Sequence, residues 1–290
     1  MSTQTTLQVY EAGRDRLLAR IAATLSADER FAAAWLTGSF ARDEADAFSD
    51  LDLTVVVTKP HAEILCTRPW QKAAQTTPER LALFRQFGEP AVIHENNFNA
   101  PEGGTFTFVL YRTTALVVDW TLWPEREATR PQSSLLLFDK TNIPLASLPE
   151  LENLEQRATS ASEIVGFFWM MAAVTAKYLA RHDDVFVITW LETLQELVKE
   201  VERRVNGTVW QYRRGSHTQL AATRAEQRHL LLTLCHQMEN LLPPVTALSG
   251  YVAPSPLPTI TLILNFSAPQ QGRLPDSPSS QEFPEFPEFP

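Results

Sequence analysis

Hydrophobic residues change their spacing part-way along the chain, and that change limits the folds open to it. From Phe31-Ala-Ala-Ala-Trp-Leu36 to the run Ala115–Trp123, apolar residues come in short stretches of strand length, rich in β-branched and aromatic side chains. From about Ser160 they recur at helical spacing instead: Ile164, Phe167, Phe168, Met171 and Val174, then Leu191, Leu194, Leu197 and Val201, then Leu230 to Leu241. Short strands followed by long amphipathic helices predict an α+β chain, with a sheet in the first part and a helical bundle in the second.

Within the first part, Leu7, Tyr10, Leu17, Ile21 and Leu25 predict an amphipathic helix from Thr6 to Leu25. Strands are expected at Phe31–Leu36 and Leu51–Val57, a helical stretch between Pro60 and Phe87, and three more strands at Pro90–His94, Thr105–Tyr111 and Ala115–Trp123. Residues 112–114 would join the last two as a hairpin. A mixed sheet of about five strands with flanking helices follows, ending near residue 150. The domains expected are therefore residues 1–150, a helical bundle over 151–243, and a Pro-rich, disordered tail over 244–290 that closes on three Glu-Phe-Pro repeats. Thr259–Asn265 interrupts this tail as a strand-like run that can dock on the body, meet a partner or serve no purpose. The stripe from Phe167 to Met171 reads as core.

Charge narrows the functions available. With 290 residues and a formal net charge of −9, the summed field repels polyanions, so long nucleic acid is a poor partner and a small cationic acceptor a better one. No apolar run is long enough to span a membrane, and the N-terminus lacks the basic and apolar stretches of a secretory signal, which makes the cytoplasm the expected location. Cys66 and Cys235 have no metal-ligand spacing and receive no role.

The chemistry concentrates in Thr37-Gly38-Ser39-Phe40-Ala41-Arg42 and Ser49-Asp50-Leu51-Asp52-Leu53. A Gly-Ser turn leaving one strand offers free backbone N–H groups and the Ser39 hydroxyl to a phosphate, and Gly38 allows close approach. Asp50 and Asp52 stand two apart at the start of a strand, so the pleat points both carboxylates to one face. Two carboxylates that close repel each other unless a cation lies between them, which suggests Mg²⁺. Asp119 sits among apolar residues in Ala115–Trp123, where an ionised carboxylate needs a partner or a metal. If its strand neighbours that of Asp52, it can share the metal or take a proton from an attacking hydroxyl.

Gly38-Ser39, the Ser49-Asp50-Leu51-Asp52 motif and the later Asp119 resemble the DNA polymerase β-like nucleotidyltransferase superfamily. Phe87-Gly88-Glu89, Val118-Asp119-Trp-Thr-Leu-Trp-Pro124 and the helical part that follows resemble, more narrowly, streptomycin and lincosamide adenylyltransferases, over roughly residues 20 to 240. The resemblance implies a polymerase β-like mixed sheet with flanking helices, two Mg²⁺ ions held by Asp50, Asp52 and Asp119, and in-line attack of an acceptor hydroxyl on the α-phosphorus of ATP or another nucleoside triphosphate. It assigns Gly38 and Ser39, with Arg42 and Ser49 of the same motifs, to the nucleotide. Phe168-Trp169 through Lys177-Tyr-Leu-Ala-Arg181 resembles the same enzymes, so Lys177 can reach phosphates across the cleft. One departure stands out. Many relatives follow the motif arginine with glycine, whereas Asp43 follows Arg42 here, and Asp43, Glu44 and Asp46 make the mouth acidic.

Simpler readings compete with some of these. Lys177 and Arg181 equally suit a solvated helix end, Glu95-Asn96-Asn97 a polar loop after a strand, and Glu200, Glu202, Arg203 and Arg204 an exposed helix end with weak surface pairing. None of the six histidines shows ligand spacing. The sequence thus predicts an adenylyltransferase-like enzyme acting on a small hydroxyl-bearing acceptor such as an aminoglycoside. The alternatives are nucleotidylation of a protein and a non-catalytic, antitoxin-like binding protein that keeps the fold.

Overall fold

A computed structural model of the chain describes residues 3–66, 76–96, 100–146, 160–207, 221 and 223–266. Helix α1 (Thr3–Ala27) leads into β1 (Phe31–Leu36), the short helix α2 (Gly38–Ala41) and β2 (Leu51–Val57). Two helices, α3 (Lys59–Leu65) and α4 (Pro78–Arg85), precede β3 (Pro90–Asn96), β4 (Thr105–Tyr111) and β5 (Val117–Pro124). After them come β6 (Arg130–Pro131), β7 (Leu135–Asp139) and β8 (Leu145–Ala146), and then α5 (Ala161–Arg181), α6 (Asp184–Val205), α7 (Arg224–Ser249) and α8 (Leu257–Phe266). The α+β class holds: an N-terminal mixed sheet with helices, then a helical part.

The main sheet has six strands in the order β3-β4-β5-β2-β1-β7. All neighbours are antiparallel except β2 and β5, which run parallel with Asp52 opposite Asp119. Five of these strands and the β4–β5 hairpin match the sequence expectation. The sixth, β7, extends the β1 edge from a Leu-Leu-Leu-Phe run whose first two leucines stay exposed. On β5 the pleat separates two jobs. Trp120 points to one side and packs on Phe84 and Phe87, with ring centroids 5.3 and 5.5 Å away, while Asp119 points to the other.

Helix α5 opens on a capping box, Ser160 with Glu163, and ends where His182 takes a left-handed φ of 67°. It packs against α6, α7 and α8 and also lies on β3 and β4. Its run of alanines and large apolar residues is mostly buried. Among the described residues it is the one helix long and apolar enough to cross a membrane, yet most of it is covered by the rest of the fold. Of the stripe from Phe167 to Met171, Phe168, Trp169 and Met171 are buried core, while Phe167 and Met170 are partly buried and pack against it.

Three expectations are corrected. Thr259–Asn265 is helical, within α8, because Thr259, Ile260, Ile263 and Leu264 share one buried face and tertiary packing overrides β propensity. The segment after residue 243 does not leave the body at once: α7 runs on through Pro243 and Pro244, with Val245 wholly buried, until Gly250 caps it. Residues 267–290, with the Glu-Phe-Pro repeats, lie outside the described residues, as does the expected boundary near residue 150. Glu95 is not in a polar loop; it belongs to β3, and its carboxylate receives two hydrogen bonds of 2.7 Å from Arg80 and one from Thr107.

The Arg80–Glu95 pair has no solvent exposure on either side chain, so removing one partner strands the other charge in the interior. Arg80→Ala is expected to lower unfolding free energy by about 3–5 kcal/mol, and Arg80→Met combined with Glu95→Leu to recover most of that loss. Urea unfolding of the three proteins measures both effects.

Candidate functional site

Thr37 closes the turn after β1 by donating its backbone N–H to the Asp52 carbonyl at 2.9 Å, which draws the Gly-Ser segment over the start of β2. Gly38 has φ +61°, and a Cβ there would lie 1.9 Å from Asp52 Oδ2, so only glycine fits between the turn and the carboxylate. Ser39 follows, half-buried, at the start of α2. Asp43 has φ +59°, a left-handed conformation that Asp tolerates better than most side chains. Arg42 is exposed and pairs with Glu44 at 2.6 Å. Ser49 does not face the turn; its Oγ donates to Asp46 Oδ1 at 3.0 Å and accepts from the Asp46 N–H at 2.9 Å.

The segment from Asp46 to Asp50 is held from three helices. Arg14 on α1 donates to the Asp46 carbonyl, and Arg181 on α5 donates two hydrogen bonds of 2.8 Å to the Asp46 carboxylate. Phe48 packs with Tyr10 of α1 and Phe266 of α8, at centroid separations of 6.1 and 6.5 Å. Burial pushes the Asp46 carboxyl up, but hydrogen bonds from Arg181, Ser49 and the Phe48 N–H outweigh it and leave it below the usual range. Sequence reading missed Arg14 and the Phe266 contact. The signal for Arg14 was its place on the buried stripe of α1, between Tyr10 and Leu17.

Asp52 and Asp119 come together on one face of the sheet, and Asp50, just before β2, is a neighbouring charge to both. Asp52 and Asp119 are register partners on β2 and β5, and Asp50 precedes Asp52 by one pleat repeat. Lys177 joins them from α5: its ammonium is buried and paired with Asp50, so it is no solvated helix end. Burial and then the neighbouring Asp50 charge push the Asp52 carboxyl up to about 6, with Lys177 and Arg42 opposing. Asp119 is raised well above the ordinary carboxylate range by burial, then by Asp50 and Asp52. Its Oδ1 is buried and accepts no hydrogen bond.

An orphaned carboxylate oxygen on Asp119 and the neighbouring carboxylates that repel it are what a hard divalent cation would relieve. All candidate donors are carboxylate oxygens, which suits Mg²⁺ better than a softer metal. Among the described residues no three acidic, His or Cys side chains already converge in a metal-ligating cluster. Asp50 is turned onto Lys177, and that ammonium neutralises it in the way a cation would.

The same face continues past Asp119. Phe108 of β4 is its register partner, and His94 of β3 is that of Phe108. His94 is buried, its Nδ1 has no hydrogen-bond partner, and its ring packs on Phe167 of α5 at 5.8 Å.

A family model described as streptomycin adenylyltransferase matches residues 13–208 of the chain. The matched segment holds Gly38, Ser39, Arg42, Ser49, all three carboxylates and Lys177, and stops short of α7 and α8. A search of curated proteins gives no match.

Burial holds His94 below its ordinary 6.5, at about 4, against an opposing pull from Glu163. Unfolding therefore takes up a proton between those values, and the stability His94 lends as a neutral ring is full above about pH 6.5 and is lost as pH falls towards 4. His94→Phe is expected to remove about 3 kcal/mol of acid-induced destabilisation, seen as a smaller drop in the urea midpoint between pH 7 and pH 4.

Proposed function

Because the chain belongs to the streptomycin adenylyltransferase family, matched over well over half its length, we propose that it transfers AMP from ATP to a hydroxyl of a small, cationic, aminoglycoside-like acceptor. The observation that carries the reading is the pairing of Asp52 with Asp119 on one sheet face, beside the Gly38 turn and the Asp50–Lys177 pair. Magnesium fits this donor set. Bound by Asp50, Asp52 and Asp119, it would neutralise the triphosphate and polarise its α-phosphorus.

The protein's own groups then divide the work. The uncovered turn at Gly38 and Ser39 receives the β- and γ-phosphates, and Arg42 and Lys177 supply positive charge to them. The acceptor oxygen forms its bond to the α-phosphorus as the bond from phosphorus to the bridging oxygen breaks and pyrophosphate leaves. The hydroxyl proton passes to Asp119, the carboxylate opposite Asp52. Asp43, Glu44 and Asp46 are exposed at the mouth and favour the approach of a cation.

The direct test is pyrophosphate release from ATP and Mg²⁺ across a panel of aminoglycosides and lincosamides. Acceptor-dependent release is expected from the wild type, and Asp50→Ala or Asp52→Ala should lower kcat/KM by on the order of a thousandfold. Release that no acceptor stimulates, or that survives both substitutions, overturns the reading. Gly38→Ala should be as damaging as either, because the added methyl strains a left-handed residue and strikes Asp52, while the thermal midpoint moves by only a few degrees, about 1 kcal/mol in free energy.

A further inference from the structure

The open flank of β3 borders a cavity that nucleotidyl transfer does not use. β3 is the end strand of the main sheet, with β4 on one side and no described strand on the other. The cavity, of about 230 Å³, is walled by Leu81 of α4, Ile93 of β3, Val165 of α5 and Val252 in the connection from α7 to α8. Ser162 of α5 also lines it. From Ser162 to Lys177 the helix rises about 22 Å, so this cavity lies well apart from the Asp50–Lys177 pair and the Gly38 turn.

One side chain at this cavity carries an unanswered charge. Arg112, just after β4, lines it and is half-buried. Its backbone is fixed at both polar groups: the N–H donates to the Glu89 carbonyl at 2.9 Å, and the carbonyl accepts from the Thr259 hydroxyl at 3.1 Å. Its guanidinium, by contrast, makes one long hydrogen bond of 3.5 Å to the Pro90 carbonyl and, among the described residues, pairs with no carboxylate. The other charges lining the cavity, Arg85 and Glu89, answer each other through two hydrogen bonds of 3.1 Å. What is left is a positive fork with most of its donors unused, set against apolar walls, and a half-buried cation in such surroundings gains from an anion.

We propose that this cavity is a second binding site, separate from the transfer centre, for a small carboxylate with a flat apolar body: the Arg112 guanidinium takes the carboxylate, and Leu81, Ile93, Val165 and Val252 enclose the body. A planar guanidinium matches a carboxylate with two parallel N–H bonds. Inorganic phosphate would leave the apolar walls unfilled and lose its hydration against them. The volume sets the size. Clefts that hold drug-sized ligands run to roughly 300–1,000 Å³, so this one suits a single ring with a short arm and is too small for a nucleoside triphosphate or a multi-ring aminoglycoside, whose cations Arg112 would also repel. Tyr251 stands exposed at the rim and offers an aromatic face to a bound ring. An occupant touches α4, β3, α5 and the α7–α8 connection together, and so ties the end of the chain to the edge of the sheet.

Isothermal titration calorimetry of the full chain with benzoate and phenylacetate, beside benzyl alcohol, benzylamine and inorganic phosphate, tests the site without calling on transfer activity, so it can fail while the transfer reading stands, and the reverse. The two carboxylates are expected to bind, with benzyl alcohol about tenfold weaker and the amine and phosphate weaker still. Arg112→Gln should lower carboxylate affinity about tenfold, to the level of the alcohol, and leave the alcohol unchanged, while Arg112→Lys keeps part of the preference. Ala253→Trp, which fills the cavity from the α7–α8 connection, should abolish binding of both; if that variant does not fold, Arg112→Gln decides alone. Excess ATP with Mg²⁺ should not displace benzoate. No binding of either carboxylate by the wild type, an affinity unmoved by Arg112→Gln, equal affinity for the alcohol, amine or phosphate, or displacement by ATP would each overturn the assignment.

Discussion

Asp52 and Asp119 share one face of the sheet, with Asp50 just before β2 paired to the buried ammonium of Lys177, and much of the surrounding structure serves to keep them there. Asp52 and Asp119 owe their proximity to the one parallel pairing in the main sheet; a slip of one residue in that register would send Asp119 to the Trp120 side and break both the site and the core. Left to themselves the carboxylates repel, and burial sharpens the repulsion. Lys177 offsets part of it. It is buried on α5 and pairs with Asp50, which ties the helical part to the carboxylate-bearing face by a charge pair.

The loop that presents Asp50 is fixed by a second set of contacts that all come from outside the sheet. Arg14, Arg181 and the Tyr10–Phe48–Phe266 cluster join α1, α5 and α8 to residues 46–50. Tyr10 also donates to the Ala115 carbonyl at the base of β5, so the same ring touches both strands' approaches. Helix α8 lies beyond the segment matched by the family model, yet it closes this cluster and bonds the β4–β5 turn through Thr259 to the Arg112 carbonyl. The chain after residue 208 is therefore part of the support for the site.

Much of this was legible in sequence, for physical reasons that differ by element. Strands β1 to β5 could be read because buried, β-branched runs bounded by Gly, Pro and Asp leave few other options, and Asp50, Asp52 and Asp119 because charge in such runs demands a purpose. What could not be read depends on contacts between distant segments. The helix at Leu257–Phe266 follows from a face it buries against α5 and α7, which its β-branched composition conceals. Glu95 resembled a loop residue until Arg80, fifteen positions earlier, was seen to neutralise it. Ser49 lay in the motif expected to touch nucleotide, but its hydroxyl is committed to Asp46. His94 carried no motif at all; it became conspicuous only when two strand registers set it in line with Asp119.

The central claim is that Asp50, Asp52 and Asp119 form a divalent-metal site completed by nucleotide, with Lys177 giving way on Asp50. Titration of Mn²⁺ against the full chain in the presence of α,β-methylene-ATP, followed by electron paramagnetic resonance, tests it without requiring any acceptor. The account predicts bound Mn²⁺ that depends on the nucleotide and is lost in Asp50→Asn and Asp52→Asn. Equal Mn²⁺ binding by the wild type and both variants would contradict it.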